Sequence, residues 1–455
     1  MAKSSSIRRG SVGRGLAVSL AGLRAGGAFA LGSALGKLRG DESGNSELMR
    51  REARRFTAEL GRLKGSYVKI GQMLALLGEH FLPPPLTEAL HELESQTHPI
   101  PWAELEPSVR HSLGDAFDQL DIDSEPLAAA SLAQVHRATP RGSKEELVLK
   151  VQYPDLADVI DDDFDAVVRM LLLARWIKAG RELDEWLEEM REQLHREIDY
   201  QREKHMTLNA RARCVDSRGD RSAYYVPYVV EAYSTDDVLA LEYVQGHRVT
   251  DEAIAALSQE RRDKLGAAML ELFFMELYEW GVLQTDPNFG NYLIRTDEDQ
   301  DQLVLLDFGS TLSCDDNFRR NFGNAIAAAQ IGNRELLLDS LIGLGCLRED
   351  ASEFARESFA EFCEMLLEPL RAPEDLPAEY LNKAGAYCWG QSRLMQRVGK
   401  HAAGSAATRH FATPSRDFAL IVRKLTGVFT FITVLNAQFN GHDMVHRYID
   451  EWVAS

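Results

Sequence analysis

The sequence predicts an α+β fold with two lobes and a helical segment in front of them. A short apolar run at 303–306, typical of a buried strand, ends in Asp-Phe-Gly at 307–309. Asp286 precedes this run, and Asn291 lies five residues after Asp286. Upstream, Lys150 lies in a segment that alternates like a strand, and the pattern from residue 245 onward is mainly helical. This order and spacing are those of a protein kinase, so the predicted fold is protein-kinase-like.

The side chains of Asp286, Asn291 and Asp307 predict a site for a magnesium ion and a nucleotide. Mg²⁺ prefers a near-octahedral shell of oxygen ligands, and triphosphate oxygens and water can fill the positions that the protein leaves open. Asn291 and Asp307 are the candidate metal ligands. Asp286 would lie beside the γ-phosphate, where it could orient or deprotonate an attacking hydroxyl or water. An Asp-Phe-Gly turn alone is common, but the paired motifs favour ATP or ADP with Mg²⁺ as cofactors.

Residues further upstream are candidates for holding the phosphates. Lys150 is placed to contact the α- and β-phosphates. Ala128, Ala129, Ala130 and Ser131 occupy the position where a protein kinase has its glycine-rich loop. Alanine does not readily adopt the positive φ values available to glycine, so this loop is expected to be stiffer. The alternative is a turn of small residues without a role.

A predicted strand at 239–243 would connect the two lobes. Its backbone is a candidate for contacting adenine, with Glu242 and Val244 as the positions concerned. Strands are predicted at 224–230 and 238–244, and the second of these contains the connecting segment at 239–243.

An acidic helix before these strands carries Glu197, Asp199 and Glu203 near its end. Apolar residues recur along it at helical spacing. Asp199 and Glu203 are one turn apart and share a face, whereas Glu197 points elsewhere. Either face could meet a lysine, although exposed carboxylates are the usual outcome on such a helix.

A helix near the N-terminus carries Lys69, Gly71 and Gln72. Apolar residues from 60 to 77 alternate three and four apart, which predicts that one face of a single helix packs against the protein. Lys69 and Gln72 project from its flank, and Gly71 between them would permit close approach of another chain segment. The three prolines at 83–85 are expected to end the segment in an extended chain.

Taken together, these motifs resemble the UbiB/AarF family of atypical kinases, which is associated with ubiquinone (coenzyme Q) biosynthesis. The resemblance covers nearly the whole chain. It includes a K-x-G-Q signature at 69–72, an alanine-rich loop at 128–131 and an E-x-D signature at 197–199. The form Gln-Thr-Asp-Pro-Asn at 284–288 is similar to the mitochondrial branch of the family and its bacterial relatives.

The resemblance implies specific roles and contacts. In the family, the N-terminal extension covers the site where a protein kinase would receive its peptide, which implies a pair between Lys69 and Glu197 and another between Lys150 and Glu203. The alanine-rich loop is linked there to an unusual nucleotide preference and to suppression of self-phosphorylation. The residues that match the family's nucleotide site are Lys150, Glu203, Asp286, Asn291 and Asp307. Those that match its inter-lobe contact are Lys69, Gln72, Glu197 and Asp199. Lys69 is also a candidate catalytic residue, together with Asp286 and Lys150.

Composition limits the class of partner. The chain has 455 residues, of which 45% are hydrophobic and 27% charged, enough for two or three structural units. Its formal net charge of −19 disfavours nucleic acid as a partner, because phosphate binding needs a basic surface. Five widely spaced cysteines without a C-x-x-C motif predict neither disulfides nor a zinc site and indicate a reducing compartment.

The first 40 residues differ from the rest, since they contain seven Lys and Arg residues and no acidic one. With glycine, alanine and leucine between the cations, this segment could rest on an anionic bilayer surface. A mitochondrial transit peptide and a disordered basic tail are the alternatives. The apolar stretch at 426–437 is too short to span a bilayer. The expected localisation is cytoplasmic and peripheral to a membrane, or on the matrix side of a mitochondrial membrane in a eukaryote.

The predicted organisation has four parts. Residues 1–45 form a basic membrane-contact tail and linker, and residues 46–125 form the K-x-G-Q helical extension. Residues 126–244 form the small kinase-like lobe, and residues 245–455 form the large helical lobe.

Three functions are compatible with the sequence. The first is a membrane-associated ATPase, or an atypical kinase acting on a small molecule or lipid, that supports ubiquinone synthesis. The second is a phosphotransferase of the aminoglycoside-kinase type, and the third is a non-enzymatic nucleotide-sensing scaffold for lipid biosynthesis. No Ala-Pro-Glu activation segment follows Gly309, so a peptide substrate has no recognisable platform. Expected partners are membrane lipids or quinone precursors and other quinone-biosynthesis proteins, and a homodimer stays open.

Overall fold

The computed structural model describes residues 42–63, 65–77, 82–91, 93, 99–177, 181–216, 223–298, 300–406 and 416–454. They form two compact units. The first unit ends at His205 and also includes Tyr228–Tyr243, and the second consists of Met206–Pro227 and the residues from Val244 onward. The predicted ranges 46–125 and 126–244 therefore lie mostly in one unit, whereas 206–227 belong to the other.

The helices, in chain order, are α1 (Glu42–Leu63), α2 (Ser66–Leu77), α3 (Pro84–His91), α4 (Trp102–Leu113), α5 (Leu156–Leu173), α6 (Arg181–Ile198), α7 (Tyr200–Asp216), α8 (Glu252–Ala255), α9 (Gln259–Phe274), a π-helix (Met275–Trp280), α10 (Asp316–Ile331), α11 (Arg334–Gly343), α12 (Glu353–Leu366), α13 (Trp389–Ser392), α14 (Leu394–Ala406), α15 (Arg416–Val434) and α16 (His442–Ala454). The strands are β1 (Leu120–Ala129), β2 (Ala133–Pro140), β3 (Leu147–Gln152), β4 (Tyr224–Tyr225), β5 (Val238–Glu242), β6 (Val282–Gln284), β7 (Tyr292–Arg295), β8 (Gln302–Leu305) and β9 (Thr311–Ser313).

The first unit contains an antiparallel sheet in the order β1-β2-β3-β5. Lys150 on β3 lies opposite Val135 on β2 and Leu239 on β5. The register between β1 and β2 is irregular between Ile122 and Ala128. One face of this sheet packs against α4 around Leu105 and Val109, so a small apolar core supports the lysine strand from behind.

A second apolar core in this unit joins α1, α2 and α3 to α5 and α6. The predicted single helix over 60–77 is two helices, because Gly65 adopts a left-handed φ of 58° between them. Helix α1 already begins at Glu42, within the segment expected to be a linker. Residues 1–41, which include most of the predicted basic tail, lie outside the described residues.

The proline segment and the acidic helix also differ from prediction. Pro84 begins helix α3 instead of ending the segment in an extended chain, because a proline at the first helical position gives up an amide that needs no partner there. The acidic helix is divided at Asp199 into α6 and α7. Glu203 therefore lies in the first turn of a new helix.

The second unit contains two small sheets and most of the helices described. Strands β4, β8 and β7 form one sheet in that order, and β6 pairs with β9 in the other. The strand predicted over 224–230 is only Tyr224–Tyr225, and it pairs in parallel with β8. The core of the unit centres on α9, α10 and α15, with Phe273 and Phe429 fully buried. None of the helices described is both long and apolar enough to cross a membrane.

Candidate functional site

Strand pairing brings two polar loops of the second unit together. Strand β6 leads into the segment with Asp286 and Asn291, and β8 leads into Asp307. Because β6 pairs with β9 and β7 pairs with β8, the β6–β7 loop and the β8–β9 turn lie side by side. The hydroxyl oxygens of Thr285 and Ser310 are 2.8 Å apart and link the two loops directly.

The three predicted site residues lie on these two loops. The Asn291 Nδ2 atom donates hydrogen bonds to the Asp286 Oδ2 atom at 2.9 Å and to the Asp286 carbonyl at 3.2 Å. The Asn291 carbonyl accepts a hydrogen bond from the Leu306 backbone amide at 3.0 Å. Asp307 follows Leu306 in the chain, so this bond holds its backbone beside the β6–β7 loop. The Asp307 Oδ1 atom accepts from the Gly309 amide at 2.8 Å and so ties the carboxylate to its own turn.

The donor set fits a magnesium ion that is shared with a nucleotide. Since the Asn291 nitrogen bonds to Asp286, the amide oxygen is the atom left to face a metal. Asn291 and Asp307 thus offer an amide oxygen and a carboxylate, which are the hard ligands that Mg²⁺ prefers. The described residues hold no group of three His, Cys, Asp or Glu side chains placed to bind a metal unaided. A metal here would therefore take its remaining ligands from phosphate oxygens and water.

In the first unit, Lys150 pairs with Glu203 as the resemblance implied. The Lys150 Nζ atom lies 2.7 Å and 2.8 Å from the two carboxylate oxygens. Glu203 is 2% exposed, and the Tyr200 ring lies 5.3 Å from the same ammonium. Burial strengthens this charge-assisted contact, so the lysine is held at a fixed position on β3.

The alanine-rich segment is not a single loop. Ala128 and Ala129 belong to β1 and pair with Val135 and Gln134 on β2. The turn begins only at Ala130, whose amide donates to the Ala133 carbonyl at 2.8 Å, and Ser131 lies within it. Paired strand residues have an extended backbone, so positions 128 and 129 do not need the positive φ values that favour glycine.

Each residue of the K-x-G-Q signature has a physical explanation. Lys69 forms an ion pair with Glu197 on α6. A Cβ atom at Gly71 would overlap the Leu93 side chain and would lie 3.2 Å from Leu60, so glycine permits this close packing. The Gln72 side chain donates to the Leu93 carbonyl at 3.3 Å. The signature therefore holds α2 against its neighbours within the first unit.

Asp199 has a role that the helical pattern did not predict. Its Oδ1 atom accepts from the Arg202 amide at 2.9 Å, and its carbonyl accepts from the Glu203 amide at 3.1 Å. Asp199 is thus the N-cap of α7, the helix that carries Glu203. The two acids of the E-x-D signature thus have different roles: Glu197 pairs with Lys69, and Asp199 caps the start of α7.

The predicted adenine-binding positions lie at the end of β5. The Glu242 amide donates to the Tyr228 carbonyl at 2.9 Å, and the Tyr243 amide donates to the Glu146 carbonyl at 3.0 Å. Val244 is the next residue and is 8% exposed. The Glu242 side chain accepts from the Tyr228 amide at 3.3 Å.

The sequence-based prediction missed Arg423 and Lys424 on helix α15. The Arg423 guanidinium donates to the Asp286 Oδ1 atom at 3.1 Å. Lys424 is fully buried and lies 3.3 Å from the Glu276 carboxylate. Burial alone would lower the pKa of Lys424, but Glu276 and the Tyr292 hydroxyl outweigh this effect and raise it, so the ammonium stays charged. The sequence feature that could have pointed to these two residues is their position as adjacent cations just before the apolar run at 426–437.

A lysine strand with its paired glutamate, an Asp-x-x-x-x-Asn loop and a strand ending in Asp-Phe-Gly define a kinase-like protein. The ABC1 atypical kinase-like domain matches residues 92–341, more than half of the chain. The protein belongs to this family. The predicted α+β, protein-kinase-like fold is thereby confirmed.

Curated relatives cover most of the chain at modest identity. The chain is 28% identical to the probable serine/threonine-protein kinase abkA of Dictyostelium discoideum, over 85% of this chain and 69% of that protein. It is 26% identical to the mitochondrial atypical kinase COQ8 of Saccharomyces cerevisiae, over 84% and 73% of the two chains. With the mitochondrial atypical kinase coq-8 of Caenorhabditis elegans, identity is 26% over 90% of this chain but only 52% of that one.

A solved structure supports the fold. Rv3197 from Mycobacterium tuberculosis, solved as a complex with erythromycin, superposes with a TM-score of 0.60 at 23% identity. The match covers 89% of this chain and 97% of that one. At this identity, the likeness concerns the fold alone.

Proposed function

We propose that the protein is an atypical kinase-like ATPase that binds a magnesium nucleotide and supports ubiquinone biosynthesis at a membrane surface. The proposal is carried by the position of Asp286, Asn291 and Asp307 on two loops that are joined by backbone hydrogen bonding. The proposal covers hydrolysis as well as transfer to a small molecule or lipid.

The proposed roles follow from the chemistry of each side chain. Asn291 and Asp307 hold Mg²⁺, which would neutralise charge on the triphosphate oxygens. Asp286 orients an attacking hydroxyl or water and accepts its proton. Lys150, fixed by Glu203, contacts the α- and β-phosphates.

Other segments complete the proposed nucleotide site. Ala128, Ala129, Ala130 and Ser131 are assigned to the phosphates, and the backbone at Glu242 and Val244 is assigned to adenine. Since Ala128 and Ala129 are paired in the sheet, their backbone is less free to close over phosphates than a glycine loop would be. A nucleotide preference different from that of protein kinases is consistent with this stiffness.

Lys69, Gln72, Glu197 and Asp199 are assigned a regulatory role, and the ion pair between Lys69 and Glu197 is the contact at its centre. Lys69 and Glu197 are each about one-fifth exposed, so their pair is partly shielded from water. Its disruption is expected to loosen α2 more than it weakens nucleotide binding. Lys69 is therefore treated as a regulatory residue first, although the sequence also marks it as a catalytic candidate.

The biological setting is proposed from the resemblance and from the relatives. Several relatives carry the name COQ8 and are mitochondrial, which supports a role in quinone synthesis with lipids, quinone precursors or other proteins of that synthesis as partners. The proposed localisation is peripheral to a membrane, on its cytoplasmic side or, in a eukaryote, on its matrix side.

Replacing Asp307 tests the metal assignment. Asp307→Asn is expected to abolish binding of Mg-ATP and Mg-ADP, because it removes the charged metal ligand. Isothermal titration measures this directly. Asp316→Asn removes an exposed carboxylate at the start of α10 and serves as the matched control. Unchanged affinity in Asp307→Asn would remove the metal assignment.

Replacing Lys69 tests the regulatory assignment. Lys69→Ala is expected to keep most of the affinity for the magnesium nucleotide, since the lysine pairs with Glu197. The same titration provides the measurement. If Lys69→Ala lost affinity as completely as Asp307→Asn, Lys69 would belong to the primary nucleotide site.

A metabolite profile distinguishes the biological alternatives. Deleting the gene should leave cells without quinone and with accumulated polyprenylated precursor if the proposal is right. A phosphotransferase of the aminoglycoside-kinase type would leave that profile unchanged. A nucleotide-sensing scaffold would reproduce the defect, but the catalytically impaired variant Asp286→Asn would then restore quinone to the deletion strain.

A further inference from the structure

Helix α15 lies along the loop that carries Asp286. Arg423, Gly427 and Phe431 are spaced four apart and so share one face of the helix. Arg423 contacts the Asp286 carboxylate, and a Cβ atom at Gly427 would overlap the ring of Pro287, with the Pro287 Cγ atom at 2.7 Å. The Phe431 ring packs edge-on against Phe289 at 5.7 Å. The loop is thus supported along its length by one helix.

A buried polar network fixes the start of the same loop. The Lys424 ammonium donates to the Gln284 Oε1 atom at 3.0 Å and to the Tyr292 hydroxyl at 2.8 Å. The Gln284 Nε2 atom then donates to the Asp286 carbonyl at 2.7 Å. Glu276 balances the lysine charge and accepts from the Gln284 amide at 3.2 Å. It lies in a π-helix, an element that is frequent at functional sites.

We infer that Arg423 and Lys424 are positioning residues for Asp286. Arg423 holds the Oδ1 atom of the carboxylate while Asn291 holds the Oδ2 atom. Lys424 acts on the main chain of Asp286 through Gln284. Two consecutive residues of α15 therefore fix the side chain and the backbone of one acid. The catalytic part of this inference rests on the proposed role of Asp286.

The chemistry favours positioning over chance contact. Burying a lysine side chain is costly unless its charge is balanced and its N–H groups are hydrogen-bonded. The Lys424 ammonium is surrounded by three acceptors, on Gln284, Tyr292 and Glu276. Arg423 is 38% exposed, so its removal leaves the core intact. A planar guanidinium holds a carboxylate oxygen in a defined direction, which a lysine does only in part.

The first test uses the full chain without nucleotide. Hydrogen exchange of a peptide spanning 284–291 should be about tenfold faster in Arg423→Ala, because one charge-assisted hydrogen bond to the loop is lost. Arg423→Lys should give an intermediate rate. Arg447→Ala, which removes an exposed arginine paired with Glu271 on the same unit, should match the unaltered protein. Equal exchange in Arg423→Ala and the unaltered protein would overturn the inference.

The second test measures nucleotide affinity and turnover in the same variants. Arg423→Ala should bind Mg-ATP normally, while kcat falls on the order of 10²-fold because Asp286 is no longer held in place. Arg423→Lys should restore part of kcat. Normal kcat in Arg423→Ala would overturn the inference even if exchange were faster. If the unaltered protein bound no Mg-nucleotide, the proposed function would fail, whereas the exchange result would still decide whether Arg423 positions the loop.

Discussion

At the scale of single residues, His136 shows how burial fixes a protonation state. Its side chain is fully buried, and its Nδ1 atom lies 2.8 Å from the Asp123 carbonyl. A carbonyl can only accept, so Nδ1 carries the proton. The Nε2 atom, 3.2 Å from the Gln134 Nε2 atom, must then accept from that amide. Burial lowers the pKa of His136 despite the nearby Asp123 carbonyl and carboxylate.

This arrangement predicts a loss of stability in mild acid. Below about pH 6.5 the unfolded state binds a proton at His136 more readily than the folded state does. The free energy of unfolding therefore decreases as the pH is lowered. The slope contributed by this one group is at most about 1.4 kcal/mol per pH unit. Urea unfolding at pH 7.5 and pH 5.5 should show a smaller loss in His136→Gln than in the unaltered protein.

The control replaces an exposed histidine of the same unit. His111→Gln should keep the full pH dependence. Burial also lowers the pKa of His446 in the other unit, so His136→Gln should retain part of the effect. Identical pH dependence in His136→Gln and His111→Gln would show that His136 does not contribute.

At the scale of elements, the sequence predicts that Asp286, Asn291 and Asp307 lie close together, but it does not predict that helix α15 packs beside them. Asp286, Asn291 and Asp307 lie within 22 positions of one another, and kinase chemistry fixes their spacing. Arg423 meets Asp286 across 137 positions, a contact that no local pattern encodes. The apolar run at 426–437 signals burial but does not identify the partner.

Two other elements held local signals that the prediction did not use. Asp199 is a preferred N-cap residue, so a helix start at Tyr200 was readable from sequence. Pro84 is acceptable at the first position of a helix, so a run of three prolines is compatible with a helix start. Capping chemistry therefore accounts for both differences.

The close contact between α15 and the loop that carries Asp286 predicts the effect of adding a methyl group at Gly427. Gly427→Ala would gain about 1 kcal/mol of helix propensity. The added Cβ atom would overlap the rigid Pro287 ring, and overpacking of this kind costs about 1–3 kcal/mol. We expect a net loss of stability together with reduced turnover, because the loop with Asp286 must shift. Urea unfolding and turnover assays measure the two effects.

Helix α14 supplies the matched control. Gly399 is also helical, but a Cβ atom there would meet nothing within 4 Å. Gly399→Ala should raise stability by about 0.5–1 kcal/mol and leave turnover unchanged. Equal stabilisation in both variants would show that Gly427 does not pack closely against the loop.

At the scale of the whole molecule, charge is distributed unevenly along the chain. Seven of its 51 basic residues lie in the first 40 positions, which contain no acidic residue. The remaining residues carry 44 basic and 70 acidic side chains, a net charge of −26. An anionic bilayer would therefore repel most of the protein and attract only this segment.

This distribution predicts salt-sensitive binding to anionic vesicles. Each lysine or arginine near such a surface contributes about 1 kcal/mol, so the full chain should float with vesicles that contain phosphatidylserine. Raising the salt from 0.1 to 1 M shortens the screening length from about 10 to about 3 Å and should release it. A variant with glutamine at all seven basic positions should stay unbound, as should the full chain with neutral phosphatidylcholine vesicles. Equal flotation of the variant and the full chain would place the membrane contact in a different part of the protein, because the cations of this segment would then be dispensable.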